Sequence, residues 1–447
     1  MEKKILKNCF ILNKFNYFCL LLLLSFTNCV IEIPFNIVNV KGIPKYNNIK
    51  ILEPDEFPNN SNNTILANEG NGIINRNILF LAPVKIGSDN QQFNLILDTG
   101  SYIAWVPKVG SADSHTIQRH FNPSTSTTST NTKKTFQQKY GTGYCSGYYY
   151  TDYFKYINDK SFSIKFGVAD KTELGVDNAD GIIGLAHYYP DESISFIHML
   201  KKAQITDSIS FSFKYDYEKK NGKLYIGKHD DFSSAVTCPL LTYNGMSNIY
   251  WGCQVSGFGL KSTNYEKSSS RTYTNIIFDT GTNILLLPLD YLMDLESDLS
   301  KFGCQKYKNE DNGYQIVCTT YDLPNFTFNI NGNTFMIPYY YLFYKSSSYY
   351  VSNVVFEKSE IYIIGAPFFL SFHTFFDKEN EKLHFYPMKP EFLNTHINVI
   401  SIIAVVIIII LIVAGLTYLC YKYIKWKRAK RELDQNFPSS NYNANFI

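Results

Sequence analysis

Two aspartates stand in nearly the same words. Asn94 to Pro107 runs NLILDTGSYIAWVP, Asn275 to Pro288 runs NIIFDTGTNILLLP, and seven of the fourteen positions are identical. Each carboxylate, Asp98 and Asp279, follows an apolar run and opens a small-residue turn. Gly100 and Gly281 let the main chain approach closely and aim its N–H groups at the carboxylate. Ser101 and Thr282 can hydrogen-bond the outer carboxylate oxygen, and Thr99 and Thr280 can reach across an interface. Two carboxylates about 3 Å apart cannot both ionise and would share one proton. The ionised member could take a proton from water while the other donates to a carbonyl oxygen under attack. Such a pair hydrolyses an amide with no metal and no cofactor.

Competing chemistries fit less well. GYCSG (Gly143 to Gly147) has the form of a nucleophile elbow, but YYYTDYF follows and reads as a strand where an elbow needs a helix. GTGYCSG lacks the glycine spacing of a dinucleotide fingerprint, and no H-E-x-x-H occurs. Glycosidases also use two carboxylates, but set them wider and need no duplicated lobe.

The elements that must position the aspartates repeat as well. DGIIGLA (Asp180 to Ala186) answers YIIGAPF (Tyr362 to Phe368), and Gly184 and Gly365 each follow their aspartate by 86 residues. Two motifs at one common spacing imply two equivalent lobes, each contributing one Asp to a central interface. From Ile78 to Pro387 the pattern is β-rich, with short apolar runs between turn residues. Helical pattern is scarce, clearest in DESISFIHMLKKAQ and DYLMDLESDLSKF.

The 447-residue chain is long enough for such a body, and its 35 Tyr and 34 Phe can fill a large core. The formal charge of +3 is concentrated at the ends; without the first 29 residues and the tail from Lys422 the body carries −4, so no nucleic-acid partner is expected. Residues 1–29 have a basic start and a short apolar stretch, the form of a signal peptide. Residues 30–76 are Asn- and Pro-rich and are expected to be a propeptide or flexible arm. Residues 397–421 hold 25 positions without a charge, enough to cross a hydrocarbon core of about 30 Å as a transmembrane helix. The basic KYIKWKRAKR follows, which favours a cytoplasmic tail over 422–447 and a luminal or extracellular body. Residues 388–396 make a short tether.

At this point the sequence resembles the pepsin-like aspartic proteases. In its low-cysteine, Asn-rich style it is most similar to the plasmepsins of apicomplexan parasites. The resemblance covers roughly Ile78 to Pro387. It implies an all-β bilobal fold, with lobes over 77–240 and 241–387 and a cleft between them, and an aspartic endopeptidase acting on polypeptides, with Asp98 and Asp279 catalytic. It also implies that Ile182–Gly184 and Ile363–Gly365 form the strands against which the two Asp loops pack. KYGTGYCSG matches the family's flap, so Tyr140, Gly141 and Thr142 would close over the cleft, Trp105 would pair with the Tyr140 hydroxyl, and Ile96 would line the same pocket. A monomer is expected. Tyr102 departs from the small polar residue usual behind the first Asp loop. The alternative is a catalytically silent peptide-binding membrane receptor of the same fold.

Five of the nine cysteines fall in the body. Cys304 and Cys318 match a bridge common in the family. Cys238 and Cys253 lie equidistant from Gly245–Met246 in YNGMSN and would pair across a hairpin if they face each other. Cys145 is left as an unpaired flap thiol.

Overall fold

Alternating Val, Ile, Phe and Tyr, broken by Gly, Asn and Asp turns, favour half-buried strands over helices. The computed structural model describes residues 31–39, 418, 421–423 and 425–428, and residues 78–387 except 113–116, 118, 142, 156–160, 174–178, 187–190, 217–220, 228–233, 242–249, 263–264, 269–273, 310–312 and 347. In chain order the first strands are β1 (Ile31–Asn39), β2 (Ile78–Ile86), β3 (Gln91–Asp98), β4 (Trp105–Ala112), β5 (Thr130–Tyr140) and β6 (Gly143–Lys155). They continue with β7 (Ser161–Thr172), β8 (Gly181–Gly184), β9 (Phe211–Asp216), β10 (Asn221–Ile226) and β11 (Val236–Pro239). The second half has β12 (Gly252–Ser262), β13 (Tyr265–Ser268), β14 (Thr274–Phe278), β15 (Leu285–Pro288), β16 (Cys304–Lys308), β17 (Tyr314–Cys318) and β18 (Asn325–Ile330). It closes with β19 (Asn333–Ile337), β20 (Phe343–Ser346), β21 (Tyr349–Glu357), β22 (Tyr362–Ile364), β23 (Phe372–Asp377) and β24 (Lys382–Pro387).

Two sheets carry these strands. The first runs β11-β24-β23-β9-β10-β1-β2-β3-β8-β4-β7-β6-β5, and the second runs β16-β17-β21-β15-β22-β14-β12-β18-β19, with β13 on β12 and β20 on β21. The lobes do not divide cleanly at 240/241. Strands β23 and β24 fall within the expected second lobe, yet β23 pairs with β9 and β24 with β11 in the first sheet. The sheet therefore ties the end of the body back to the first lobe.

Part of the segment expected to be a propeptide or flexible arm is structured. β1 sits between β10 and β2, burying Ile31, Ile33 and Phe35 in alternation while Glu32, Pro34 and Asn36 face out. Phe35 stacks on Phe213 with centroids 4.4 Å apart, and Gly222 faces it in register because a Cβ there would overlap the Phe35 ring. Pro34, which has no N–H to donate, lies in the half of β1 paired with β10 and ahead of the half paired with β2. The remaining residues of 30–76, like the signal segment 1–29 and the tether 388–396, lie outside the described residues.

Among the described residues no helix is long and apolar enough to cross a membrane. The expected span 397–421 lies outside them apart from Tyr418 and Tyr421. Residues 418, 421–423 and 425–428 are helical, with Tyr418, Tyr421, Tyr423 and Trp426 exposed.

Candidate active site

Each Asp loop starts where a strand ends. β3 delivers Asp98 and runs parallel to β8, with Leu97 beside Ile183 and Asp98 beside Gly184. β14 ends at Phe278, just before Asp279, and runs parallel to β22, with Ile277 beside Ile363 and Phe278 beside Ile364. After the Asp the chain turns back across the neighbouring glycine. Leu185 N donates to Asp98 O at 2.7 Å and Ala186 N to Ser101 O at 2.9 Å; in the second copy Asp279 N donates to Ile364 O at 3.0 Å and Ala366 N to Thr282 O at 2.7 Å. A Cβ on Gly184 would come within 2.6 Å of Ile103 N, and one on Gly365 would run into the backbone at Thr282 and Ile284. The equal 86-residue spacing therefore reflects the same crossing made twice.

The two loops interlock. Thr99 N donates to Thr280 Oγ1 at 3.1 Å while Thr280 N donates to Thr99 Oγ1 at 3.0 Å. The hydroxyls pass the bond on, Thr99 to Phe278 O at 2.9 Å and Thr280 to Leu97 O at 2.6 Å. Both threonines are fully buried. The carboxylates are cradled alike. Gly100 N donates to Asp98 Oδ1 at 2.9 Å and Gly281 N to Asp279 Oδ1 at 2.8 Å. Thr282 Oγ1 donates to Asp279 Oδ2 at 2.6 Å, and Ser101 Oγ makes the matching bond to Asp98 Oδ2.

Each loop glycine faces the carboxylate of the other lobe. A Cβ on Gly100 would fall 2.6 Å from Asp279 Oδ2, and one on Gly281 would overlap the Asp98 carboxylate. The two carboxylates therefore face each other across the pair of glycines. Burial, then the facing Asp279 charge, push the Asp98 carboxyl well above the usual carboxylate range, against the pull of the Ser101 and Gly100 hydrogen bonds. Asp98 therefore holds its proton more tightly than an exposed carboxyl would.

Tyr140 ends the β5–β6 hairpin. Its hydroxyl accepts from Trp105 Nε1 at 2.7 Å and lies near Ser101, whose own hydroxyl donates to the carboxylate of Asp98. Burial, followed by the nearby Cys145 and Asp98 charges, raises the phenol's pKa, so it stays neutral. Ile96 and Trp105 are buried in one apolar cluster with Leu79, Leu81 and Ile182, against which Tyr102, Tyr140 and Tyr149 pack half-buried. Gly141 is exposed at the hairpin tip, and Thr142 lies outside the described residues. Cys145 is a free, fully buried thiol pushed up to about 12 by burial. It is no nucleophile.

Cys304 and Cys318 form a disulfide, directly opposite each other in the β16–β17 ladder. The expected Cys238–Cys253 bond is absent, and both are buried free thiols. They do not share a hairpin ladder: β11 pairs with β24 and β12 with β14.

Several neighbours of the site carry no motif. Tyr250 is half-buried, and its phenol is raised by burial and then by the charges of Asp279 and Asp98. Trp251 Nε1 donates to Leu185 O at 2.8 Å and so holds the segment that supports Asp98. Asp180 is buried at the start of β8, accepting from Asn94 N at 2.7 Å, Arg119 N at 3.1 Å and Arg119 Nη1 at 2.8 Å. The one available signal was the charge of Asp180 next to the GIIG run.

This two-lobed, mostly β fold, with a carboxylate from each half held in mirrored loops, defines an aspartic endopeptidase. Residues 79–388 match the family described as eukaryotic aspartyl protease, and the chain belongs to that family. It is similar to gastricsin of Oryctolagus cuniculus, 30% identical over 324 residues that cover 68% of this chain and 80% of the relative. Pepsin-3 of the same species is 25% identical over 321 residues, covering 68% and 79%. Gastricsin of Cavia porcellus is 29% identical over 326 residues, again covering 68% and 79%.

Proposed function

We propose that the protein hydrolyses peptide bonds with a water activated between Asp98 and Asp279, and that it does so from a membrane anchor at acidic pH. The observation that carries this reading is the reciprocal cradle. Each Asp is hydrogen-bonded by its own loop and faced by the other lobe's glycine, so a water can be held against both. One shared proton gives the pair both roles. The ionised carboxylate accepts a proton from the water as its oxygen attacks the carbonyl carbon. The protonated one donates to the carbonyl oxygen, and the tetrahedral intermediate collapses as the amine leaves with a proton.

Thr99, Thr280, Gly100, Gly281, Ser101 and Thr282 hold the carboxylates in place. Tyr140 closes over the cleft as part of the flap, to which Gly141 and Thr142 belong by sequence, and Trp105 orients the Tyr140 hydroxyl. Ile96 and the apolar cluster around it support a preference for apolar residues beside the scissile bond. The low-cysteine, Asn-rich composition supports the finer likeness to plasmepsins. The charge-free run 397–421 and the basic residues after it support a single-pass anchor with the body in the secretory lumen or outside the cell.

The test is cleavage of a peptide with apolar residues on both sides of one bond, by the purified body between about pH 4 and pH 7, the range in which a shared carboxylate proton is gained and lost. Asp98→Asn and Asp279→Asn should each lower kcat by at least roughly 10²-fold, and a statine-type transition-state analogue should inhibit the parent. Binding of peptides with no cleavage at any pH would favour the silent receptor.

A further inference from the structure

Outside the catalytic pair, the free cysteines among the described residues are Cys145, Cys238 and Cys253. The last two come from different sheets and meet. Cys238 lies on β11 opposite Leu383 of β24, and Cys253 lies on β12 opposite Ile276 of β14. Leu241 N, three residues after Cys238, donates to Gly252 O, next to Cys253, at 3.0 Å, and this contact brings the two thiols together.

We propose that Cys238 and Cys253 form a redox pair that closes to a second disulfide, tying the strand next to β14, which leads into Asp279, to the sheet that joins the two lobes. The inference does not depend on the catalytic reading, since it concerns only where two sulfurs lie. The same body already carries the Cys304–Cys318 bond, so oxidation of one pair of thiols provides the chemistry for the other.

The environment sets the order of attack. Cys238, on β11 at the edge of its sheet, is the more accessible of the two and meets the external disulfide first, while Cys253, on β12 between β14 and β18, follows. The Cys238 thiolate attacks one sulfur of a small-molecule or protein disulfide and expels one thiolate. Cys253 then gives up its proton and attacks the Cys238 sulfur of the mixed disulfide, expelling the second thiolate. Two protein thiols are oxidised and one disulfide is reduced to two thiols. Cys145 stays out of the exchange because burial keeps it protonated and it packs in a separate cluster behind Tyr140.

Burial sets when this happens. Cys238 is 4% exposed and Cys253 is fully buried, so an external disulfide reaches them while β11 and β12 are still coming together. Once folded, the pair should exchange slowly in either direction.

The experiment folds the full chain in buffers containing reduced and oxidised glutathione, blocks free thiols with iodoacetamide after denaturation, and maps the peptides by mass spectrometry without reduction. In the oxidised buffer a Cys238–Cys253 linked peptide is expected, with Cys145 as the alkylated thiol of the body. In the reduced buffer both should be alkylated while Cys304 and Cys318 remain linked. Cys253→Ser should leave Cys238 alkylated or glutathionylated and should melt several degrees below the oxidised parent. If both cysteines are alkylated in oxidised buffer while Cys304–Cys318 is fully closed, or if Cys238 links to Cys145, the proposal is wrong. The parent protein alone decides between these outcomes, even if the variant does not fold.

Discussion

Thr99 and Thr280 each donate a backbone N–H to the other's hydroxyl, at 3.1 and 3.0 Å, and each hydroxyl then donates to a carbonyl of the opposite lobe. Neither threonine is satisfied without its counterpart. The bonds fix the separation of the neighbouring aspartates, since Asp98 and Asp279 directly precede them. Replacing Thr99 by Val keeps the shape and strands two buried groups, Thr280 N and Phe278 O. An unsatisfied buried group costs about 1–3 kcal/mol. Thr99→Val should therefore lower the melting temperature and turnover together, and Thr99→Ser should restore most of both. A melting curve and a kcat measurement on the two variants check this.

Gly100→Ala should separate folding from chemistry. The new methyl would sit 2.6 Å from Asp279 Oδ2, where the carboxylate or its water must be. Overpacking of this kind costs about 1–3 kcal/mol, which the body can survive. Turnover should fall far more than stability does, and an Ala variant cleaving at the parent rate would contradict the site geometry.

Asp98 also predicts a pH dependence of stability. Its folded proton affinity is raised by burial and by Asp279, whereas in the unfolded chain it returns to a pKa of about 3.9. Between those two values the folded state binds more protons, so its stability falls as pH rises. The contribution is fully present below the unfolded value and is lost as pH passes up through the raised one. Asp98→Asn has no such proton to lose. Its melting temperature relative to the parent should climb between about pH 4 and pH 7, the window above the unfolded value, and a constant difference would refute the linkage.

Tyr140→Phe tests the flap. The change leaves Trp105 Nε1 without its acceptor in a buried setting and removes the hydroxyl near Ser101. Because the phenol carries no proton in the proposed reaction, KM should rise by a larger factor than kcat falls. The steady-state constants on one peptide report both.

Cys304→Ala combined with Cys318→Ala opens a loop with a sequence separation of 14. The chain-entropy model assigns such a loop about 3 kcal/mol. The melting temperature should drop by about 4–5 °C for a body of this size, with the pH profile of cleavage unchanged because the bridge does not touch the dyad.

The sequence carried the site because its geometry is made from local turns used twice. Asp-Thr-Gly-Ser/Thr places a carboxylate against the glycine N–H and the following hydroxyl wherever a strand stops, and the 86-residue interval records the crossing over Gly184 and Gly365. What stayed hidden depends on long-range pairing. β1 has the alternation of a strand in IEIPFN, yet Pro34 and the Asn-rich surroundings mask it, and only β10 and β2 give it a place. β23 and β24 leave the second lobe for β9 and β11, a choice that no local pattern marks. Cys238 and Cys253 are equally spaced about a turn signal, yet they stand on strands of different sheets and are free thiols, because the pairing of β11 with β24 and β12 with β14 is long-range. Tyr250 feels the charges of the aspartates through the fold alone.

The position of β1 has a consequence for any protease that cuts between residues 40 and 77. The cut would break the covalent link between β1 and β2 but none of their hydrogen bonds, nor the stacking of Phe35 on Phe213. β1 would then be a bound peptide, and its retention would depend on concentration and dissociation rate instead of connectivity. Its groove, open between β10 and β2, would accept any segment offering the same apolar alternation. The cut protein should lose β1 on dilution, and an excess of synthetic IEIPFNIVN peptide should take its place in the groove.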